Sequence, residues 1–125
     1  MKVTTSGASD VLSDCRRVMQ VLSRVGDKWT VFVIVVLRSG PCRFNELKRS
    51  IDGISQQMLT RTLKALERDG MIIRTAFPTT PPQVQYKLSE LGESLSAPVF
   101  ALGSWVHENL SVIDNARNRF DAKRA

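Results

Sequence analysis

Five side chains able to read or grip a polyanion, Gln56, Gln57, Thr60, Arg61 and Lys64, recur at helical spacing within ISQQMLTRTLKALERDG, residues 54–70. Residues three and four apart stack along one side of a helix, and the same spacing puts Leu59, Leu63 and Leu66 on the other side. Gln and Arg can each make paired hydrogen bonds to purine edges, Thr can meet a thymine methyl, and Lys suits a phosphate. Ser55 is placed to cap this helix, and could itself meet a backbone phosphate, while Gly70 is placed to stop it. A solvated helix face of no function has a similar composition, so the neighbouring elements must decide.

Those neighbours fit a DNA-reading arrangement. RFNELKRSI, residues 43–51, predicts a short helix that buries Phe44, Leu47 and Ile51 and turns Lys48 and Arg49 outward, and Asp52 and Gly53 then form a turn. Helix, short turn and capped helix make a helix-turn-helix, whose second helix enters the major groove by its N-terminal end. Arg43, Lys48 and Arg49 stand where phosphate contacts belong. Beyond Gly70, MIIRTAF and QVQYKLS read as strands on either side of PTTPP, a hairpin of the kind called a wing. Its Arg74, Thr79, Thr80, Gln83 and Lys87 are candidate contacts to the backbone or a minor groove.

Helices on both sides must position this unit. Val11, Cys15, Val18, Leu22 and Val25 recur in steps of four and three, predicting one amphipathic helix over residues 11–25 that ends at Gly26. Asp27 can cap the next helix, although its body, VFVIVVL, has the β-branched composition of a strand. We assign it as helix, broken by Ser39, Gly40 and Pro41. Ser89 caps a final helical region with Leu95, Val99, Leu102, Val106, Leu110 and Ile113 at helical intervals, in which Pro98 is expected to kink or restart the helix. Two long apolar stripes exceed what a winged unit needs for its own core. Val11, Val18, Leu22, Leu102, Trp105, Val106, Leu110 and Ile113 are therefore expected to bury against a second copy of the chain. The expected organisation is mainly α with a small β-hairpin: one winged helix-turn-helix domain over residues 10–117, flanked by frayed ends at 1–9 and 118–125.

Charge points the same way. The 125 residues include 18 Lys and Arg against 12 Asp and Glu, a net charge of +6, and residues 1–62 hold 10 of the basic and only 5 of the acidic groups. A basic surplus centred on the helix-turn-helix favours double-stranded DNA, with an acidic protein as the alternative partner of a winged domain. Enzyme chemistry is disfavoured: no Gly-rich phosphate loop follows a strand, no paired carboxylates stand out, and His107, the one histidine, has no evident catalytic partner. Two cysteines and one histidine are too few for a structural zinc cluster, so no metal or cofactor is expected. MKVTTSGASD is polar and no apolar run approaches the roughly 20 residues of a membrane span, which predicts a cytoplasmic protein that meets the nucleoid through DNA.

The runs VGDKWTVFVIVVL, GPCRFNELKRSIDGISQQMLTRTLKALERDGMIIR and PPQVQYKLSELGESL, with the region of Trp105, resemble the HxlR-type winged helix-turn-helix transcription regulators, bacterial relatives of the MarR group. The resemblance implies a homodimer with intertwined terminal helices, a support helix from Phe44, a recognition helix over residues 55–69, and a helical VFVIVVL segment. It passes base or phosphate contacts to Gln56, Gln57, Thr60, Arg61 and Lys64. It also draws attention to Cys15, because several members sense oxidants or electrophiles through a cysteine near the start of the N-terminal helix. Arg16 stands where such members commonly have proline. By its own chemistry Cys15 is either a thiol activated by Arg16 and Arg17 or an inert packing residue of the apolar stripe, the latter favoured by its place on that stripe. Trp29, Trp105 and Phe44 could line a site for a small apolar effector, against which core packing is the simpler assignment.

Overall fold

The β-branched segment after Asp27 is a helix because tertiary burial outweighs its strand propensity. The computed structural model describes residues 7–124, with side chains from Asp10 onward. In it Lys28–Leu37 forms α3, and the Asp27 carboxylate accepts hydrogen bonds from the Trp29 and Thr30 backbone N–H groups at 2.9 and 3.3 Å. Thr30, Val33, Ile34 and Leu37 are buried, and Trp29, Val31, Val35 and Val36 pack against the same core. A helix apolar on nearly every side belongs at the centre of a domain.

Around it lie α4 (Phe44–Ser50), α5 (Gln56–Arg68) and α6 (Glu90–Glu108), with α1 (Gly7–Ser13), α2 (Cys15–Val25) and α7 (Leu110–Arg124) toward the ends. Strands β1 (Cys42–Arg43), β2 (Ile72–Phe77) and β3 (Gln83–Leu88) form an antiparallel sheet in the order β1-β3-β2. Ile72 pairs with Leu88 and Phe77 with Gln83, as the hairpin reading requires. The two-residue β1, with Cys42 opposite Tyr86, was not foreseen, since so short a run carries no alternation to detect. The core joins Leu47 and Ile51 with Leu59, Leu63 and Leu66, and with Met71, Ile72, Leu88 and Val99.

Three boundaries differ from the sequence expectation. The N-terminal helix is divided at Asp14, where the Ser13 hydroxyl donates to the Asp10 carbonyl at 2.9 Å and Asp14 adopts φ −105°, ψ 28°. Local side-chain bonding of this kind competes with the helix ladder. Pro98 lies inside an unbroken α6, and the interruption falls at Asn109 instead. There the Asn109 amide Nδ2 donates to the Trp105 carbonyl at 2.8 Å and caps α6 before α7 begins. The third is the C-terminal end: residues 118–124, expected to be frayed, continue α7 to Arg124. At the opposite end, residues 1–6 of the expected N-terminal tail lie outside the described residues, and α1 already begins at Gly7.

Candidate nucleic-acid interface

The end of α5 that faces outward is shaped by its cap. The Ser55 hydroxyl oxygen accepts from the Met58 backbone N–H at 3.0 Å, so the helix starts sharply just after the turn at Gly53, whose φ is +84°. Only glycine enters that left-handed region without strain. Burial of Leu59, Thr62, Leu63 and Leu66 then fixes the rotation of α5 about its own axis. As a result Gln56, Gln57, Arg61 and Lys64 are exposed, Thr60 is half-buried, and the five side chains line one open depression. The Arg61 guanidinium lies 3.8 Å from Met58 Sδ, a weak contact that leaves most of its donors available.

The other candidates for DNA contact lie on α4 and in the wing. Lys48 and Arg49 are exposed on the last turn of α4, and Arg43 is exposed at its start, where its backbone N–H donates to Glu46 Oε1 at 2.7 Å. In the wing, Arg74, Thr79, Thr80 and Lys87 are exposed and Gln83 is half-buried. The register divides them: Arg74 lies opposite Tyr86, whereas Lys87 and Gln83 lie opposite Ile73 and Phe77. Paired residues share a face and neighbours along a strand alternate, so Arg74 projects from one face and Gln83 and Lys87 from the other. They do not form a single patch. The Thr79 hydroxyl donates to the Pro81 carbonyl at 2.7 Å, which commits its proton to the wing tip.

The remaining candidates fall elsewhere. Cys15 is exposed within the chain, its thiol 3.4 Å from Met19 Sδ. Of its apolar stripe only Val18 and Val25 are even half-buried, because α2 has little of its own chain to lie against. Burial, and secondarily the charge of Glu46, raises the pKa of the Cys42 thiol and so disfavours its thiolate. Trp29, Phe44 and Trp105 do not share a pocket: Trp29 and Phe44 pack on the core, and Trp105 is 56% exposed. Val11, Leu22, Leu102, Val106 and Leu110 are exposed as well, while Ile113 is half-buried. Among the described residues no group of three or more His, Cys, Asp or Glu side chains is placed to hold a metal ion. No described helix is long and apolar enough to cross a membrane.

Sequence reasoning did not single out Arg24 or Gly92, both of which act on the far end of α5. Their partners, Asp69 and the Met71 carbonyl, lie in other elements, and no local pattern announces them.

The sequence model of HxlR-like helix-turn-helix proteins matches residues 24–114, which span the whole winged unit and the start of α7. The chain belongs to this family. It is 46% identical over 91 residues to the uncharacterized HTH-type transcriptional regulator YtfH of Escherichia coli K12, covering 73% of this chain and 72% of that one. Among solved structures it is similar to the regulator YtfH from Salmonella typhimurium, at 41% identity and a TM-score of 0.77, covering 80% of this chain and 89% of that one. The redox regulator HypR in its reduced form superposes with a TM-score of 0.73 at 34% identity, covering 79% and 98%. This HxlR-like chain is thus a DNA-binding transcriptional regulator of the helix-turn-helix type.

Proposed function

We propose that this HxlR-like protein is a homodimeric, sequence-specific repressor that reads a near-palindromic operator through two copies of α5. One observation carries the reading: burial of Leu59, Leu63 and Leu66 leaves Gln56, Gln57, Thr60, Arg61 and Lys64 together on an open face that lacks an aromatic anchor. A protein-binding face would favour aromatic anchors, whereas these groups match base edges and phosphates. Ser55, Arg43, Lys48, Arg49, Arg74, Thr79, Thr80 and Gln83 are assigned to the flanking backbone, with the two wing faces serving different contacts. Val11, Val18, Leu22, Leu102, Trp105, Val106, Leu110 and Ile113 are assigned to the dimer, which would operate in the cytoplasm at the nucleoid.

Selection of bound fragments from genomic DNA tests this. The expected result is one enriched motif with half-sites centred about 10 bp apart, or a multiple of that. Enrichment of unrelated fragments in proportion to their length would overturn it.

A second element of the proposal is control by oxidants through Cys15, whose thiol lies on the α2 stripe uncovered by its own chain, in keeping with the likeness to a redox regulator. The Cys15 thiolate would attack one peroxide oxygen, the S–O bond forming as the O–O bond breaks and the departing oxygen taking a proton from water to leave as an alcohol or water. The polar sulfenic acid would disturb the apolar packing of α2 in the dimer. Operator affinity measured before and after peroxide should fall for the wild type and hold for Cys15→Ser. Equal loss in both proteins would remove Cys15 from the mechanism.

A further inference from the structure

The outer face of α5 is exposed while its inner face is packed into the core, and at the far end of the helix residues 69–71 are gripped from two sides in different ways. At this end Gly70, at φ +77°, reverses the chain, with Gly70 N–H donating to the Glu67 carbonyl at 3.0 Å and Met71 N–H to the Leu66 carbonyl at 2.9 Å. That is the Schellman closure of a helix. From one side the start of α6 fastens to it: Ser89 N–H donates to the Met71 carbonyl at 3.0 Å, and the Ser89 hydroxyl donates to the Gly70 carbonyl at 2.6 Å while accepting from Gly92 N–H at 3.0 Å. Gly92 lies so close that an added Cβ would fall 2.0 Å from the Met71 carbonyl oxygen. This grip has no slack.

From the other side α2 reaches the same point through Arg24, whose Nε lies 3.6 Å from Asp69 Oδ2. The two side chains are 41% and 29% exposed, and the shielded Arg24 Nε has no hydrogen-bond partner, so the Asp69 carboxylate is its electrostatic compensation. An ion pair at this distance, without a hydrogen bond, holds by attraction rather than by fixed geometry. Beside it, Val18, Leu22 and Val25 of α2 face Leu91 and Leu95 of α6 across an apolar groove of about 710 Å³. Within one chain α2 buries no residue, so Arg24 links a loosely covered helix to the end of α5.

We infer that the Arg24–Asp69 pair is the tie through which α2 sets the angle of α5, and with it the half-site spacing that the dimer accepts. The inference rests on the dimeric DNA-reading function proposed above. The 13 residues of α5 place its tip about 20 Å from Asp69. A turn of the packed winged unit by about 10° relative to α2 moves the tip by roughly 3.4 Å at that distance, one base-pair step. Arg24 and Asp69 are therefore positioning residues, acting through α5 without touching DNA.

The test uses the full-length protein and a fragment enriched by the wild type, rebuilt with one base pair added or removed between half-sites. Wild type should prefer the original spacing. Arg24→Gln and Asp69→Asn should each flatten that preference by about two- to fivefold, in line with a half-exposed ion pair, and the double variant should be no worse than either alone. Exchange of the charges, Arg24→Asp with Asp69→Arg, should recover part of the preference, which a merely weakened fold would not. Retained preference in every variant, or strictly additive losses, would overturn the tie and leave the DNA-reading function standing. Absence of a spacing preference in the wild type itself would overturn that function and the tie together.

Discussion

Arg61 and Lys48 carry the same charge but occupy different positions, and position decides what each can contribute. Arg61 stands on the exposed face of α5 with a planar set of donors, whereas Lys48 stands on the supporting α4 with a point charge. Replacing Arg61 by Ala should cost about 1–3 kcal/mol at one operator position and relax specificity there. Lys48→Ala should weaken all sequences alike and reduce the salt slope of binding by about one. Titrations of operator and single-base variants over a range of salt concentrations separate the two. A uniform loss from Arg61→Ala would move it to the phosphate-contact group.

Among the elements, α6 shows how a single small residue can determine packing. Gly92 is buried against the Met71 carbonyl, and the hydrogen bonds of Ser89 to Gly70 and Met71 keep the two backbones from separating. Gly92→Ala should therefore destabilise the fold by about 1–3 kcal/mol despite the better helix propensity of Ala, read as a lowered urea midpoint at unchanged slope. An equal or higher midpoint would show that α6 can move aside. The same element carries Pro98 without a break, although an interior proline removes a ladder hydrogen bond. Its burial of Ser96 and Val99 against the core offers the compensation that an isolated helix would lack.

For the whole molecule, the apolar surface is unevenly distributed. Leu12, Met19, Leu22, Phe100, Leu102, Trp105, Val106, Leu110, Val112 and Phe120 are all exposed on the terminal helices, while α2 and α7 bury no residue. Surface of that extent supports the proposed dimer, in which a second copy of the chain would cover it. Trp105→Glu should convert the dimer to monomer in sedimentation velocity and lower operator affinity at least tenfold, with the helical signal of each chain largely kept because Trp105 is 56% exposed. A dimer that survives the change would place the interface elsewhere.

Much of this fold is written in local chemistry. Ser55, Asp27 and Ser89 cap helices, Gly53 and Gly70 take left-handed turns, and alternating residues in β2 and β3 make the wing. Each depends on neighbours within a few positions, so the sequence by itself determined the helix-turn-helix and the outward face of α5. Other features needed the assembled chain. The helical state of VFVIVVL follows from being surrounded by α4, α5, α6 and β3, and propensity alone leans the other way. The opposite faces of Arg74 and Gln83 depend on strand register, and the exposure of Cys15 on how little of the chain covers α2. The link from Arg24 to Asp69 joins elements far apart in sequence. Contacts between distant segments leave no periodic trace in the chain, and only the tertiary structure could decide them.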